Sequence, residues 1–450
     1  MQKLIKAFKD AGFELYLVGG SVRDTLLGKT PKDFDYTTNA TPDKIYQLLL
    51  VAGADAIFNL GEKFGTMSGR FGDDVVEITT YRSEEYEAGS RKPAVVFGSD
   101  LKADLARRDF TINSIAQDAF TGEIVDPFGG QDALKDREIH AVGNPFDRFT
   151  EDPLRLLRAI RLACQLNFSI CDYTSKAIKQ MCYKLEEISK ERIAQEMNKI
   201  LLCDVPSVGI EDLVNLGLMQ YIIPEFMNVV SLDSNGHKNI YQHTLQVVDQ
   251  TPARLNVRWA ALLHDIAKPQ TRKYDAEGVH FPMHEAVGAA QARSILSRLH
   301  MDNVTVQAVH KLVLMHMRVG SYDPEWTNGA VRRLVIEAGD SWQDLLDLSI
   351  ADVTSKYEKN HTIARQKVEQ LRERVSRLEE EAELAKIRSP LDGLELMALF
   401  NKPAGSWIKP IKDRLLELVI EGDLAQDDKE QAREIAREMM SHALSSESGI

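Results

Sequence analysis

The chain has 450 residues, 44% of them hydrophobic, and is too long for one compact core, so we expect three or four folded units. Its formal net charge of -13 disfavours a protein that coats nucleic acid indiscriminately, because phosphate affinity depends on lysine and arginine. No run approaches the roughly 18 apolar residues of a membrane span, and the four cysteines lack the C-x-x-C spacing of a zinc site. We therefore expect a cytoplasmic protein with reduced thiols and no membrane contact.

A glycine turn stands near the start of the first region, in which helical and strand patterns alternate. Residues 15–18 form an apolar run that predicts a buried strand, and the run ends at Gly19 and Gly20. Two residues without Cβ atoms allow the backbone to approach a phosphate group closely. Residues 22–27 then predict a short helix. The pattern favours a phosphate-binding turn, and an ordinary surface turn is the alternative.

Two acids follow this turn in a predicted strand that contains Asp33, Phe34 and Asp35. The two-residue period of a strand places both carboxylates on one face, with Cα atoms about 6.5 to 7 Å apart, and directs Phe34 towards the core. Such a pair is suited to holding two Mg²⁺ ions for attack on a nucleoside triphosphate. The next predicted strand, within residues 71–82, carries Glu77, which either joins the pair or is an acid at a sheet edge.

Two pairs of neighbouring basic residues come next. Arg91 and Lys92 lie in the polar residues 83–96, which predict a mobile loop, and either contact the substrate or remain solvated. Arg107 and Arg108 are predicted at the opening of a helix, within the sequence DLARRDFTINSIAQD. An arginine there is suited to binding a triphosphate, although a solvated surface pair has the same pattern.

From residue 126 the sequence changes to helical patterns, and one predicted helix combines an acid with three arginines. Asp152, Arg155, Arg158 and Arg161 recur every three residues within EDPLRLLRAIRLACQLNF, so neighbours share a face. An ion-paired surface helix is one interpretation, and base selection is the other. Cytosine and adenine present an exocyclic amine beside a ring-nitrogen acceptor, whereas uracil and guanine reverse that pattern. Asp152 would accept from the amine and Arg155 would donate to the ring nitrogen.

Six segments occur in a characteristic order along the chain. They are LVGGSVRDTLLG, DFD, RRDFTIN, DPFGGQDAL, EDPLRLLRAIR and KERIAQEMNKIL, the last at residues 190–201. Together they resemble the head and neck motifs of the class II tRNA nucleotidyltransferases, the family of CCA-adding enzymes and bacterial poly(A) polymerases. The resemblance implies that the chain adds C, C and A from CTP and ATP to the 3′ end of tRNA by two-metal nucleotidyl transfer, without a nucleic-acid template.

The same resemblance implies residue roles. Asp33 and Asp35 would be catalytic and would hold Mg²⁺ in the head. The implied nucleotide site consists of Gly19, Gly20, Arg23, Arg108, Asn113, Asp152, Arg155, Arg158 and Arg161. Relatives that add only A, only CC, or a poly(A) tail are alternatives. The full length of the 83–97 loop disfavours addition of CC alone.

A second group of chemical residues follows residue 236. YQHT, LHDIAKP, the later histidines His280, His284 and His316 and an Ala-Asp pair resemble an HD phosphohydrolase domain. In that domain an adjacent His-Asp pair closes a metal site with a distant His and Asp. The implied ligands are His243, His264, Asp265 and Asp352, with His284 and His316 for a second metal. A transition metal such as Ni²⁺ or Mn²⁺ would generate hydroxide for phosphatase or phosphodiesterase chemistry.

Three residues depart from the usual HD pattern. Ala267 stands where the family commonly has glycine, and Pro282 and Met283 replace the usual glycine before a histidine. The proposed ligands are unaffected by these changes. A protein whose main activity lies at the HD site, with the head as a binding module, is the alternative from a different class. The complete set of head acids and arginines disfavours it.

The predicted fold class is therefore α+β: an N-terminal nucleotidyltransferase head with a small mixed β-sheet and helices, followed by all-α neck, body, HD and tail regions. The predicted boundaries are 1–125 for the head, 126–202 for the neck, 203–235 for the start of the body, 236–356 for the HD domain and 357–450 for the body and tail. RNA contacts are predicted for Arg91, Lys92, Lys402, Trp407, Lys409, Lys412 and Arg414, with a solvated surface as the alternative for each. The sequence leaves the oligomeric state open.

Overall fold

The computed structural model groups the chain into two compact units, fewer than the three or four expected from its length. The N-terminal unit is Met1–Leu232 with Ile295–Met301, and the C-terminal unit is Asp233–Ser294 with Asp302–Ile450. The structure describes residues 1–31, 33–61, 65–85, 94–97, 100–232, 239–276, 278–380 and 388–447.

Short strands are concentrated in the first 125 residues, whereas helices occur throughout. The strands are β1 Tyr16–Val18, β2 Phe34–Thr38, β3 Ala56–Gly61, β4 Thr66–Phe71, β5 Asp74–Thr80, β6 Arg82–Glu85, β7 Ala94–Phe97, β8 Ala116–Asp118, β9 Ile124–Val125, β10 Glu138–Ile139, β11 Ser169–Ile170, β12 Lys273–Asp275 and β13 Gly278–His280.

The α-helices of the first 232 residues are short, and the longest of them have 12 residues. They are α1 Gln2–Asp10, α2 Gly20–Leu26, α3 Pro42–Ala52, α4 Leu101–Ala106, α5 Gly130–Asp136, α6 Pro145–Glu151, α7 Arg155–Leu166, α8 Asp172–Met181, α9 Lys190–Leu201, α10 Pro206–Asn215, α11 Met219–Ile222 and α12 Phe226–Ser231. The later helices are α13 Ile240–Gln250, α14 Leu255–Leu263, α15 Lys268–Thr271, α16 His284–Arg298, α17 Asn303–Gly320, α18 Asn328–Ala338, α19 Trp342–Ala351, α20 Glu358–Glu380, α21 Gly393–Phe400, α22 Ile408–Glu421 and α23 Lys429–Glu447.

A mixed sheet of seven strands forms the centre of the head. Its order is β3-β4-β5-β2-β1-β8-β9, and all neighbours are antiparallel except β2 and β5. The head sheet and the helical remainder confirm the predicted α+β fold class.

One face of this sheet is covered by α1 and α3. Along β5 the alternation of a strand buries Val76 and Ile78 on that face and leaves Glu77 exposed on the opposite one. Phe34 packs against the same apolar cluster, as the sequence predicts. The face opposite this core is therefore the one to which β2 and β5 present acidic side chains.

The predicted helix at 151–168 is interrupted. Helix α6 ends at Glu151 and α7 begins at Arg155, so Asp152 lies between them with φ -139° and ψ 99°. Pro153 explains the break, because a residue before proline is disfavoured in the helical region. The expectation that Asp152 sits on the helix is therefore wrong, and its position is set by the break.

Arg107 and Arg108 follow a helix rather than open one. Helix α4 ends at Ala106, Arg107 is its C-cap, and residues Thr111–Asn113 form a single 3-10 turn. Basic residues at a helix C-terminus interact favourably with the free carbonyl groups there. The two arginines thus lie at the start of the segment that connects α4 to the 3-10 turn.

The C-terminal unit is built from helices and one small hairpin, β12–β13. Val368, Leu371, Val375 and Leu378 of α20 are buried, and α20 packs against α17, α18 and α19. A separate cluster under α21, α22 and α23 forms the core of the tail. In the described residues no helix is both long and apolar enough to cross a bilayer.

We predict that Gly130→Ala destabilises the N-terminal unit. Gly130 is the first residue of α5, and a Cβ there would lie 2.3 Å from the Thr111 carbonyl oxygen and 2.6 Å from Ile115 Cγ1. Because backbone must shift to relieve this overlap, we expect a loss of about 1–3 kcal/mol, measured by denaturant unfolding followed by circular dichroism.

The matched control is Gly393→Ala, since Gly393 is also the first residue of a helix, α21. Its nearest neighbour for a new Cβ is Ile408 Cγ2 at 3.8 Å, which is an ordinary contact. The control should change stability by no more than about 0.5 kcal/mol. Equal effects of the two substitutions would contradict the steric explanation.

Candidate functional sites

An acidic cluster lies on the sheet face opposite the α1–α3 core. Asp33 immediately precedes β2, and Asp35 is the register partner of Glu77 across the parallel β2–β5 pair, so these two side chains are neighbours on one face. Burial raises the pKa of Asp35, and the nearby Glu77 carboxylate raises it further. Three carboxylates close together create a negative potential that a divalent cation would neutralise.

The glycine turn brings an arginine against this cluster. Gly19 has φ 71° and ψ -136°, a conformation that side chains disfavour. A Cβ on Gly19 would lie 3.3 Å from Arg108 Nη1 and 3.8 Å from Asp35 Oδ2. The backbone of the turn, one cation and one carboxylate therefore meet at a single point.

Asp104 positions the two adjacent arginines. This carboxylate is completely buried and lies 2.7 Å from Arg107 Nη2 and 3.3 Å from Arg108 Nη2. Burial alone would raise the pKa of Asp104, but Arg108 and Arg107 hold it below its ordinary value. Thr37 of β2 donates to the same carboxylate at 3.2 Å. The arginines are thus tied to the strand that carries Asp35.

Arg108 also has an unpaired hydrogen-bond donor. Its Nε is buried and has no hydrogen-bond partner within the part of the chain that the structure describes. A buried donor without a partner is unfavourable unless a ligand or a water satisfies it. Because Arg108 borders the Gly19 turn, an anionic ligand at the turn would have this side chain beside it.

A chain of polar contacts joins the head to the neck. Arg23 Nη1 donates to Asn113 Oδ1 at 2.8 Å, and Asn113 Nδ2 donates to Asp109 Oδ1 at 3.1 Å. Asp109 Oδ2 accepts from Arg158 Nε on α7 at 2.8 Å. Burial would raise the pKa of Asp109, but Arg158 and the Asn113 amide lower it below its usual range. One hydrogen-bond network therefore contains Arg23, Asn113, Asp109 and Arg158.

The predicted base-selecting residues have protein partners in this structure. Arg155 is buried, and its guanidinium donates to Glu151 at 2.8 Å and to the Arg107 carbonyl oxygen at 2.7 Å. Asp152 lies 3.1 Å from Arg192 of α9. The structure places Asp152 and Arg155 side by side at the break between α6 and α7, but both are paired with other groups.

Arg161 lies on the face of α7 that contacts α9. Its Nε donates to Glu196 Oε2 at 2.6 Å, and the two side chains are 14% and 6% exposed. This contact fixes α7 against α9 and leaves Arg161 less available to a nucleotide than Arg158, which is 39% exposed.

In the C-terminal unit six side chains converge as the sequence predicts for an HD domain. His243 Nε2 lies 3.1 Å from His264 Nε2 and 2.9 Å from Asp352 Oδ1, and His264 Nε2 lies 3.2 Å from Asp265 Oδ2. Ligand atoms of Asp265, His284 and His316 lie within 4.8 Å of one another. Asp265 belongs to both groups, so its carboxylate is placed to bridge two ions.

The histidine rings are oriented from outside the cluster. The Nδ1 atoms of His264, His284 and His316 each lie 2.7 to 2.8 Å from a backbone carbonyl oxygen. A carbonyl only accepts, so each Nδ1 carries a proton and Nε2 is the ring nitrogen left for a metal. This orientation by a second contact is typical of metal-ligating histidines.

The charges of the cluster also suit a cation. Asp265 Oδ1 is buried without a hydrogen-bond partner among the described residues. Burial alone would lower the pKa of His264, but the Asp265 carboxylate raises it to about 10. Burial and the neighbouring His264 lower the pKa of His316 to about 4, which keeps that ring neutral. A divalent cation would fit this set of two carboxylates and four imidazoles.

The departures from the HD pattern are accommodated locally. Ala267 is buried, and a Cβ at Gly288 of α16 would lie 3.7 Å from its methyl group, so the two positions pack closely. Met283 adopts φ 58°, the left-handed conformation that favours the glycine usual there. The substitution thus keeps the turn before His284 at the expense of some backbone strain.

The predicted RNA-contacting residues are dispersed. Lys402, Lys409 and Arg414 are exposed and Lys412 is partly buried, and Arg414 forms an ion pair with Glu417 at 2.7 Å. The Trp407 ring packs edge-on against Phe400, and its Nε1 donates to the Pro403 carbonyl oxygen, so the ring is part of the tail core. Arg91 and Lys92 lie outside the described residues.

Sequence reasoning missed four residues of these sites. Asp104 and Asp109 flank the Arg107-Arg108 pair and lie in a recognised segment, so an acid next to paired arginines was the available signal. Lys268, whose Nζ lies 2.6 Å from Asp265 Oδ2, belongs to the LHDIAKP segment. Arg192 lies within KERIAQEMNKIL, but its contact with Asp152 spans 40 residues and has no local signal.

Comparison with known proteins gives three family matches along the chain. Residues 15–140 match a poly A polymerase head domain, residues 167–229 a probable RNA and SrmB-binding site of polymerase A, and residues 240–387 an HD domain. The matched segments follow one another without overlap in the order that the sequence predicts.

Individual relatives and structures agree with these matches. A CCA-adding enzyme of Geobacillus thermodenitrificans is 30% identical over 440 residues, which cover 95% of this chain and 94% of that enzyme. One of a Geobacillus species, strain WCH70, is 42% identical over 49% of this chain, and the match spans about half of that enzyme, 53%. The crystal structure of the Bacillus stearothermophilus CCA-adding enzyme in complex with CTP is 26% identical, with a TM-score of 0.67 over 99% of this chain and 98% of that chain.

The buried network predicts a specific response to acid. The pKa of Asp109 is lowered in the folded chain, so its stabilising contribution is complete above the unfolded pKa of about 3.9 and is lost as the pH falls below that value. Asp109→Asn should reduce the free energy of unfolding by about 1.5–3 kcal/mol at pH 7, because a charge-assisted hydrogen bond is lost. The difference from wild type should shrink at pH 3.5, as measured by urea unfolding.

Asp10→Asn is the control, because Asp10 forms only an exposed ion pair with Lys6. We expect this substitution to change stability by less than about 1 kcal/mol at either pH. A difference between wild type and Asp109→Asn that stays constant from pH 7 to pH 3.5 would show that Asp109 is not ionised in the fold.

Proposed function

Because this chain belongs to the CCA-adding enzyme family, we propose that it adds C, C and A from CTP and ATP to the 3′ end of tRNA without a nucleic-acid template. The observation that carries the proposal is that Arg108 Nη1 and Asp35 Oδ2 both lie within 4 Å of the Cβ position of Gly19. Hydrogen bonds through Arg23, Asn113 and Asp109 connect this turn to Arg158 of α7. Catalysis, triphosphate binding and base choice can be assigned to separate parts of this one unit.

The acids of the head fit a pair of divalent cations. Asp33, Asp35 and Glu77 provide hard oxygen ligands, and burial, followed by the neighbouring Glu77 carboxylate, raises the pKa of Asp35. Mg²⁺ ions held there would activate the 3′ hydroxyl group and stabilise the departing pyrophosphate. We assign Asp33 and Asp35 as the principal ligands and Glu77 as a neighbour that adds to the field.

The triphosphate is assigned to the glycine turn and Arg108. The first backbone amides of α2 are available there because Gly19 and Gly20 carry no side chains. Arg108 stands beside the turn with its Nε unpaired among the described residues, and Asp104 keeps the side chain in place. Arg23 and Asn113 are buried and paired with each other, so we assign them to the support of the turn.

Base choice is assigned to Asp152 and Arg155. A carboxylate only accepts hydrogen bonds and a guanidinium only donates, so the pair is complementary to C and A and is left unsatisfied by U and G. Because Arg155 donates to Glu151 and to a carbonyl oxygen here, it must exchange one of these partners to reach the base. Base binding and a rearrangement of Arg155 would therefore occur together.

We predict that Asp35→Ala reduces nucleotide incorporation by about 1,000-fold or more, because it removes a ligand on which both metals depend. The assay uses labelled CTP or ATP with tRNA that lacks CCA, tRNA that lacks only the terminal A, and complete tRNA. Asp74→Ala, an exposed acid at the start of β5, is the control and should keep wild-type activity.

The products of the wild-type chain test the alternatives. Addition of three nucleotides to tRNA without CCA supports the proposal, whereas addition of A alone or of a long A tail supports the other members of the family. Undiminished incorporation by Asp35→Ala would overturn the assignment of the head site.

We further propose that the HD site binds divalent metal and hydrolyses phosphate esters. The supporting observation is that three histidines are held through Nδ1 with Nε2 towards the cluster. Mn²⁺ or Ni²⁺ bound there would supply a nucleophilic hydroxide. Lys268, beside Asp265, provides a positive charge at the same place for a phosphate group. The cytoplasmic location predicted from the sequence stays a prediction.

Removing the shared carboxylate should abolish metal binding at this site. Asp265→Ala is expected to weaken Mn²⁺ or Ni²⁺ binding by about 100-fold or more, since even loss of an outer contact weakens metal sites by 10- to 100-fold. Titration calorimetry on the full chain measures this, and the Asp35→Ala background separates it from metal at the head.

His280→Ala is the matched control, because His280 is an exposed histidine of the same unit that contacts Asp275 rather than the cluster. It should bind the metal as the wild type does. Unchanged binding in Asp265→Ala would show that the six side chains are not a metal centre.

A further inference from the structure

The orientation of the Asp152 carboxylate depends on contacts from outside its own segment of the chain. Asp152 lies between α6 and α7, so helical geometry does not fix its side chain. Its Oδ1 accepts from the backbone N–H of Leu154 at 3.1 Å, a hydrogen bond that comes from its own segment of the chain. One hydrogen bond leaves a carboxylate free to rotate about that bond.

Arg192 supplies the second restraint. Its Nη2 lies 3.4 Å from Asp152 Oδ1 and 3.1 Å from Oδ2, so one guanidinium nitrogen bridges both oxygens. The side chains are 48% and 31% exposed for Arg192 and Asp152, which leaves room for a ligand beside them. The bridge and the Leu154 contact together fix the plane of the carboxylate.

Helix α9 holds Arg192 firmly in position. Glu196, one helical turn after Arg192, forms the buried ion pair with Arg161 of α7, so α9 directs both side chains towards the α7 region from one face. The better-buried pair at Arg161–Glu196 fixes the two helices, and Arg192 extends from this fixed base to Asp152. The position of the guanidinium is therefore set by packing.

A carboxylate has about four acceptor positions on its two oxygens. Leu154 and Arg192 use two positions on Oδ1 and one on Oδ2, so one position on Oδ2 remains. An exocyclic amine can occupy it without displacing Arg192. The arrangement thus permits recognition of C and A while the restraint stays in place.

We propose that Arg192 is a positioning residue for base selection: it holds the Asp152 carboxylate so that a free oxygen lone pair faces the base. This inference rests on the proposed nucleotide addition and goes beyond it by naming a third residue that determines specificity. When the carboxylate is held, the carbonyl oxygen of U or G meets a fixed acceptor and is repelled. When it is free, the carboxylate rotates away and a water can satisfy the wrong base.

The test compares base selectivity in the wild type and three variants. For wild type, Arg192→Ala, Arg192→Lys and Arg298→Ala, kcat/KM is measured for CTP and UTP on tRNA lacking CCA, and for ATP and GTP on tRNA lacking only the terminal A. Arg298 is the matched control, because it forms an ion pair of similar exposure with Glu225 in the same unit. Unfolding by urea is measured for each variant.

We expect Arg192→Ala to lower the CTP/UTP and ATP/GTP ratios by about 10-fold, with kcat for CTP within about two-fold of wild type. Arg192→Lys should recover part of the ratio, since the charge remains but the rigid planar donor group is lost. Arg298→Ala should keep the wild-type ratio. A stability loss in Arg192→Ala no larger than that in Arg298→Ala shows that the effect is not a general loosening.

A double variant establishes whether Arg192 acts through Asp152. In an Asp152→Ala background, Arg192→Ala should cause no further loss of selectivity, and independent losses would overturn the proposal. So would an unchanged ratio in Arg192→Ala, or an equal fall in Arg298→Ala. These outcomes leave wild-type incorporation intact, whereas a wild type that adds neither C nor A overturns the proposed function itself.

Discussion

Burial of two carboxylates, Asp104 and Asp109, is the constraint on which the nucleotide site depends. A buried charge is unfavourable unless it is paired and hydrogen-bonded, and each of these acids finds its partners among the arginines of the site. Asp104 pairs with Arg107 and Arg108, and Asp109 pairs with Arg158. The head and neck therefore cannot pack without also placing these cations, so the same interactions that close the fold arrange the binding groups.

In the HD domain the buried carboxylate Asp265 is not fully satisfied by protein cations. Asp104 and Asp109 are satisfied by protein cations, but the Asp265 carboxylate keeps an oxygen without a hydrogen-bond partner among the described residues, in the centre of four histidines. The raised pKa of His264 shows how strongly this centre favours positive charge. Since the Nδ1 protons of three rings are already bound to carbonyl oxygens, Nε2 is the ring nitrogen that each of them directs at the cluster. Such an arrangement is stable with a cation between the ligands.

What could be predicted from the sequence depended on whether the information was local. Strand alternation predicted Phe34 in the core, and the position of Glu77 beside Asp35 was one of two alternatives. The resemblance to an HD domain supplied the six residues that converge. A local rule also explains one error: the proline effect on Asp152 was visible in the sequence but was outweighed by a three-residue periodicity. The contact of Arg192 with Asp152 joins α9 to the break between α6 and α7, and spacing in the sequence could not reveal it.

The break at Pro153 gives the neck a property that a continuous helix would lack. On a helix, an acid and an arginine three residues apart have directions set by the backbone. Because Asp152 lies outside the helices, contacts from other elements can orient its side chain. Helix α9 therefore contributes to base selection. Two side chains can select a base only if neither can rotate away from a wrong one. A side chain that rotates avoids the unfavourable contact and so lowers the free-energy cost of binding the wrong base. Arg155 has its constraint in Glu151 and the Arg107 carbonyl, and the corresponding constraint on Asp152 is the planar guanidinium of Arg192. Base choice is then a property of the packing of three helices as much as of the two residues that would contact the base.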